Sequence, residues 1–271
     1  MTKNEYVKLV NSLEWGDRYV VNRKDLAPGT LYPVLLGERF RAILTLLENF
    51  IHDDNDAEIA DVGAYPGALG RLMKSAFPRC VVDGVGLGFT ESFKKEMVGG
   101  GVYRNFYEVD LDPEHPKSRS IPDSGLKARY GHYDFVVASE IIEHLYSPLF
   151  FIDEIRNLLK EKGTCIVTTP NVACSGNIFR LLRGGSNYES LETSHIFSHS
   201  DWRPHMRIYS SSELRFLFER AGFREVRHFF IDNKEDIYSA LPGIRLKMFL
   251  IKSLYIISKF RNQYIGVFEK K

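Results

Sequence analysis

The sequence is short of net charge, of cysteine and of long apolar runs, and each shortage removes a class of protein. Lys and Arg total 36 against 35 Asp and Glu across 271 residues, a formal net charge of +1. Nothing in that balance recruits nucleic acid or a membrane surface, so a nucleic-acid partner is not expected, although a local basic groove stays open. The three cysteines, Cys80, Cys165 and Cys174, form neither a C-x-x-C pair nor an even framework. That pattern excludes a disulfide scaffold and suits a reduced, cytoplasmic protein with buried thiols. No run of 18 apolar residues occurs, which argues against a spanning helix, and the opening MTKNEYVKLVNSLEWGDRY lacks the apolar h-region of a secretory signal. Low-complexity blocks, internal repeats and linker-like stretches are missing as well.

What is present, 44% hydrophobic residues in a chain of this length, suffices for one large α/β domain or two small ones. Residues 1–50 read as an N-terminal helical cap, most clearly in GERFRAILTLLENF, where Phe40, Ile43, Leu44, Leu47 and Phe50 recur at helical spacing. Residues 51–271 then alternate between β-rich runs and helices. AEIADVG, RCVVDGVG, RNFYEVD, YDFVVAS and GTCIVTTP read as five strands, with REVRHFFID and NQYIGVFEKK as a sixth and seventh. Between them SPLFFIDEIRNLLKEKG reads as a helix closed by Gly163, and SSSELRFLFERAGF as one opened by a serine cap with Glu213 completing a capping box. Alternation of this kind predicts a doubly wound, Rossmann-like sheet whose ligands gather at the carboxyl ends of its strands.

The first such end carries AEIADVGAYPGALGRL, that is, Asp61-x-Gly63-x-x-x-Gly67-x-x-Gly70. A dinucleotide fingerprint would be G-x-G-x-x-G with an acid about 20 residues later. Here the spacing is one residue longer and the acid comes first; a carboxylate in that place repels pyrophosphate but can hold an amino group. The glycines alone would also suit a tight turn with no ligand.

The loop resembles motif I of the class I S-adenosylmethionine-dependent methyltransferases, (D/E)-x-G-x-G-x-G, and the resemblance continues downstream. YDFVVASEIIEHL is similar to the fourth strand and following loop of that family, KGTCIVTTPN to the fifth strand, and HMRIYSSSELRFLFERAGF to the later helix. The resemblance implies a seven-stranded sheet with its last strand antiparallel. It places Asp61, Gly63, Ala64, Tyr65 and Gly67 at the methionine end of the cofactor, Asp110 near the adenine, and Ser139 with Glu140 beside the methyl donor. Two departures stand out. Tyr65 occupies a position usually held by glycine, and the acid that grips the ribose is replaced by Gly86 in Gly84-Val85-Gly86, leaving Asp83 or a backbone group as substitute.

SEIIEHLYSP places Glu140, Glu143 and His144 at i, i+3 and i+4. On a helix they would share one face, a costly grouping unless it meets water or coordinates a hard or borderline divalent ion such as Mg²⁺ or Mn²⁺. The E-x-x-E-H string resembles two subgroups of the family, the quinone-biosynthesis O-methyltransferases and the small-RNA 3′-terminal 2′-O-methyltransferases. In the RNA group a further histidine follows the T-P-N strand end, which implies His205 here as the fourth ligand after Thr169-Pro170-Asn171, with His195 and His199 as competitors. Without a metal, Glu140, His205 or His195 would be the general base; alternatively Glu143 is a solvated residue and His144 a packed one. Carboxylates and imidazoles suit a hydroxyl acceptor on a small molecule or glycan, since the D/N-P-P-Y/F tetrad of amine methylases is absent. A non-catalytic scaffold on a degenerate fold is the reading that Gly86 and Tyr65 leave open.

Residues 172–209, with Arg180, Arg183, Arg203 and Arg207 beside Tyr188 and Trp202, read as a substrate lid or as an ordinary solvated loop. The basic apolar stretch 243–261 reads as a helix packed on the sheet with snorkelling ends, with peripheral membrane contact or a homodimer seam as alternatives. Membrane contact would make a lipid-linked sugar an attractive acceptor.

Overall fold

The computed structural model describes residues 1–21, 27–51, 56–118, 120–121, 124–187, 203–232 and 257–271. Seven strands form one sheet: β1 (Glu58–Val62), β2 (Val81–Gly86), β3 (Phe106–Glu108), β4 (Tyr133–Ser139), β5 (Leu159–Pro170), β6 (Phe223–Ile231) and β7 (Gln263–Lys270). Their order is β3-β2-β1-β4-β5-β7-β6. β1 to β5 pair parallel, and β7 runs antiparallel between β5 and β6. The central strands are apolar on both faces, as parallel strands covered by helices on each side must be. The chain reverses direction of travel across the sheet between β1 and β4, which opens a crevice above their carboxyl ends.

One face is covered by the N-terminal helices α1 (Lys3–Asn11), α2 (Tyr32–Leu35) and α3 (Gly37–Glu48), with α4 (Ala68–Ala76) and α5 (Glu91–Gly99) beside them. Ile43, Leu44 and Leu47 of α3 share a core with Ile59, Val137, Ile166 and Ile265 of the sheet. Phe50, expected on that stripe, lies beyond the helix end and is exposed. The other face carries α6 (Pro148–Leu158) and α8 (Ser211–Arg220), whose Phe151, Ile155, Leu214 and Phe218 pack on Val136, Val167 and Phe268. Between them in sequence lies α7 (Ser175–Leu182). The capping box at Ser210 and Glu213 is present. Cys80 and Cys165 are buried free thiols; Cys174 is half-buried.

Two helix readings need correction. Helix α6 does not run to Gly163: it stops at Leu158, and Leu159 already pairs with Tyr133 in the sheet. The KEKG stretch is a bend inside β5, with Lys162 at φ +63° and Gly163 so placed that a Cβ would lie 2.9 Å from the Lys160 carbonyl oxygen. After β4, only Ile142–His144 coil, as one 3-10 turn. Of the stretch 243–261, only 257–261 falls within the described residues, holding a short 3-10 turn, Ser258–Phe260. No helix among the described residues is long and apolar enough to cross a membrane.

Candidate active site

A cavity of about 480 Å³ occupies the crevice, lined from β1 and its loop by Asp61 to Leu69, from the tip of β2 by Gly86 and Leu87, and from the loops after β3 and β4. Asp61, Gly63, Ala64, Tyr65, Gly67, Gly86, Asp110, Ser139 and Glu140 all line it. The loop closes tightly because Gly63 takes φ +78° and a Cβ there would fall 2.2 Å from Ile141 Cδ1. Gly70 serves a different purpose. It sits in α4, where a Cβ would lie 2.1 Å from the Tyr103 hydroxyl, and that hydroxyl donates to Asp61 Oδ2 at 2.6 Å. The third glycine admits a partner for the carboxylate. Burial pushes the Asp61 carboxyl up to about 6, against the hydrogen bond from Tyr103.

Asp83 does not reach the cavity. It is buried on the middle of β2, accepting from Arg104 Nε at 3.0 Å and Tyr133 Oη at 2.8 Å. The ribose acid has no substitute there, because alternation along the strand turns Asp83 to the opposite side from Gly84 and Gly86. Gly86 itself takes φ +149°, a backbone conformation that a side chain disfavours. At the β3 end, Asp110 is held by a bidentate pair with Arg203, Nη1 to Oδ1 at 3.0 Å and Nη2 to Oδ2 at 2.7 Å. Partial burial raises its carboxyl, but the Arg203 hydrogen bonds and charge, with the Asp112 backbone N–H, together hold it below the ordinary value. Asp112 lies fully buried beside it and accepts the Tyr146 and Ser147 backbone N–H groups at 3.0 and 2.9 Å, holding the chain that leads into α6.

Glu143, His144 and His205 converge: one donor atom from each lies within 4.8 Å of the others. Glu143 Oε2 accepts from Thr169 Oγ1 at 3.0 Å, while its buried Oε1 has no hydrogen-bond partner and stands 4.0 Å from His144 Nε2. His144 Nδ1 lies 2.6 Å from the Arg203 carbonyl oxygen. A carbonyl only accepts, so Nδ1 carries the proton and Nε2 presents its lone pair to the cluster. Burial lowers both histidines and raises Glu143 well above its ordinary range, with Glu140 adding to the latter. An orphaned buried carboxylate oxygen beside two neutral imidazoles fits a divalent ion such as Mn²⁺.

Glu140 stands outside this cluster, so its expected role as metal ligand needs correction. The single 3-10 turn does not put it on one face with Glu143, and φ +60° turns it the other way. Its carboxylate is held by Arg39 Nη1 at 3.1 Å, Thr168 Oγ1 at 3.0 Å and Gln263 Nε2 at 2.5 Å. It lines the cavity as a fixed anion. His195, Tyr188 and Trp202 lie outside the described residues. Of the four arginines noted in 172–209, Arg203 pairs with Asp110, Arg207 with Glu213, and Arg180 donates to the Ser186 carbonyl.

Sequence reasoning missed Arg39, Tyr103 and Asp112. Arg39 is buried in α3, lines the cavity with Tyr32 and faces Glu140. The available signal was a guanidinium directly before Phe40 on the apolar stripe. Tyr103 and Asp112 carried none, since each acts through a contact distant in sequence.

The model of one family, described as a methyltransferase domain, matches residues 35–228. Among solved structures, a candidate sarcosine dimethylglycine methyltransferase from Galdieria sulphuraria superposes with a TM-score of 0.54 at 14% identity, covering 99% of this chain and 98% of that one. An S-adenosylmethionine-dependent methyltransferase from Archaeoglobus fulgidus gives 0.51 at 20% identity over 88% of this chain and 100% of its own. A phosphoethanolamine N-methyltransferase from Haemonchus contortus, solved with S-adenosylmethionine, gives 0.51 at 16% identity over 85% of this chain and 52% of its own. At these identities the likeness shows the fold. No curated protein matches the sequence.

Proposed function

The chain belongs to the methyltransferase-domain family, and from that premise we propose that it moves the methyl group of S-adenosylmethionine to a hydroxyl of a small molecule or glycan, assisted by a divalent ion. The observation that carries the oxygen-directed reading is the convergence of Glu143, His144 and His205 beside the cavity. A sulfonium methyl is already activated when the cofactor is bound, so the protein has to align the acceptor and manage its proton.

Asp61 suits the cofactor ammonium, Arg39 its carboxylate, and Asp110 the adenine amino group. Ribose selection falls to backbone groups at Gly86 and Leu87 rather than to an acid. Glu143, His144 and His205 would hold Mg²⁺ or Mn²⁺, which lowers the pKa of a coordinated hydroxyl. With no metal bound, the neutral imidazole of His205 would instead be the group that takes the acceptor proton. Near-zero net charge favours a small-molecule or glycan acceptor. The same cluster gives a second reading, 2′-O-methylation at an RNA end, because His205 lies beside His144 with ring centroids 4.6 Å apart, as the RNA subgroup would require.

The test is calorimetric titration with S-adenosylhomocysteine, with Mg²⁺ and with chelator, on the intact chain and on Asp61→Ala. Saturable binding lost in Asp61→Ala supports the cofactor assignment; absence of binding at millimolar ligand favours a scaffold. Acceptor screening then compares hydroxylated small molecules and sugars, lipid-linked ones included, with a single-stranded oligoribonucleotide.

A further inference from the structure

Arg203 is attached to two parts of the site by its two ends. Its guanidinium grips both oxygens of Asp110 and stands 3.8 Å from Asp112. Its carbonyl oxygen accepts the hydrogen bond from His144 Nδ1–H. Two residues on is His205, and the strand of chain carrying it is pinned where Met206 N and Arg207 N donate to the Glu143 carbonyl at 2.7 and 3.1 Å. Residues 203–207 are therefore tied to the β3 end of the cavity, to His144 and to Glu143.

We infer that Arg203 is a positioning residue that couples occupation of the cavity at Asp110 to the geometry of the Glu143, His144 and His205 cluster. A ligand amino group arriving at Asp110 shares or displaces the guanidinium. Either event moves the Arg203 backbone, which sets the His144 ring through its carbonyl and carries His205 with it. Cofactor binding thereby aligns the groups that handle the acceptor proton. This rests on the cofactor reading proposed above, and by linkage the coupling acts in both directions.

Nitrogen-15 NMR of the histidine rings during titration with S-adenosylhomocysteine tests it, using the intact metal-free chain. His205 is the reporter, assigned by loss of its signals in His205→Gln, because it does not line the cavity. In the unmodified protein its ring signals should move in step with saturation. In Arg203→Ala, binding should persist within roughly tenfold, as expected for one charged contact, and the His205 response should vanish. Arg203→Lys, which offers one ammonium for two oxygens, should restore part of it. An unchanged His205 response in Arg203→Ala overturns the coupling while leaving cofactor binding intact. Should that variant fail to fold, Arg203→Gln serves in its place with the same two outcomes. No calorimetric binding by the unmodified chain would remove the cofactor reading and the coupling together.

Discussion

Asp61 ties the chemistry of the cavity to solution pH. It titrates near 6 in the folded chain against an ordinary 3.8, so the folded form keeps its proton to higher pH than the unfolded one. Across that window the unfolded chain ionises first, and this group's contribution to stability falls as pH rises. Binding of a ligand ammonium runs the other way, because it needs the carboxylate. Affinity for S-adenosylhomocysteine should weaken by up to about tenfold per pH unit below 6, measured by calorimetry from pH 5 to 7.5. Tyr103→Phe removes the donor to Asp61 and should weaken binding roughly tenfold at pH 7, the worth of one hydrogen bond to a charged group. Glu143→Gln keeps the side-chain shape without the charge. Mn²⁺ binding, followed by electron paramagnetic resonance, should fall by at least about tenfold, while S-adenosylhomocysteine affinity stays within about threefold. The place of Asp61 in the cavity could be read from an acid placed before the first glycine. The protonation behaviour could not, since it depends on burial and on Tyr103, 42 residues away.

Strand tips and helix starts decide the site's shape at the scale of elements. Gly86→Asp restores the family's acid in sequence but forces a side chain onto φ +149°. It should lower the melting temperature, at a cost of about 1–3 kcal/mol, without tightening cofactor binding; a gain in affinity would show that the tip of β2 relaxes easily. Asp112→Ala leaves the Tyr146 and Ser147 N–H groups ahead of α6 without an acceptor and should cost about 1–3 kcal/mol in urea unfolding. The strands were legible in the sequence because each is a run rich in β-branched or aromatic residues. The loop after β4 was misread because E-I-I-E-H has helical periodicity, yet Glu140 is pulled from it by Arg39, Thr168 and Gln263. Those three partners come from α3, β5 and β7, a juxtaposition that no local pattern announces. His205 was found at its place beside His144 through the resemblance, across a segment whose middle lies outside the described residues.

For the whole molecule, the sheet order governs how the chain comes apart. β7 is hydrogen-bonded on both sides and almost wholly buried, whereas β3 and β6 stand at the edges. Amide protons of β4, β5 and β7 should therefore exchange only through global opening, and those of β3 and β6 faster, as measured by native-state hydrogen exchange. Early exchange in β7 would contradict this topology.

β7 is also synthesised after both strands it separates. Until residue 263 has left the ribosome, β5 and β6 each present an unpaired edge, a surface on which nascent chains pair with one another. Gln263, the first residue of β7, is the one that reaches Glu140 at the floor of the cavity. Sealing the sheet and completing the cavity floor are thus one late event in the life of the chain, and a translation product stopped short of it would be both sticky and unable to form the site.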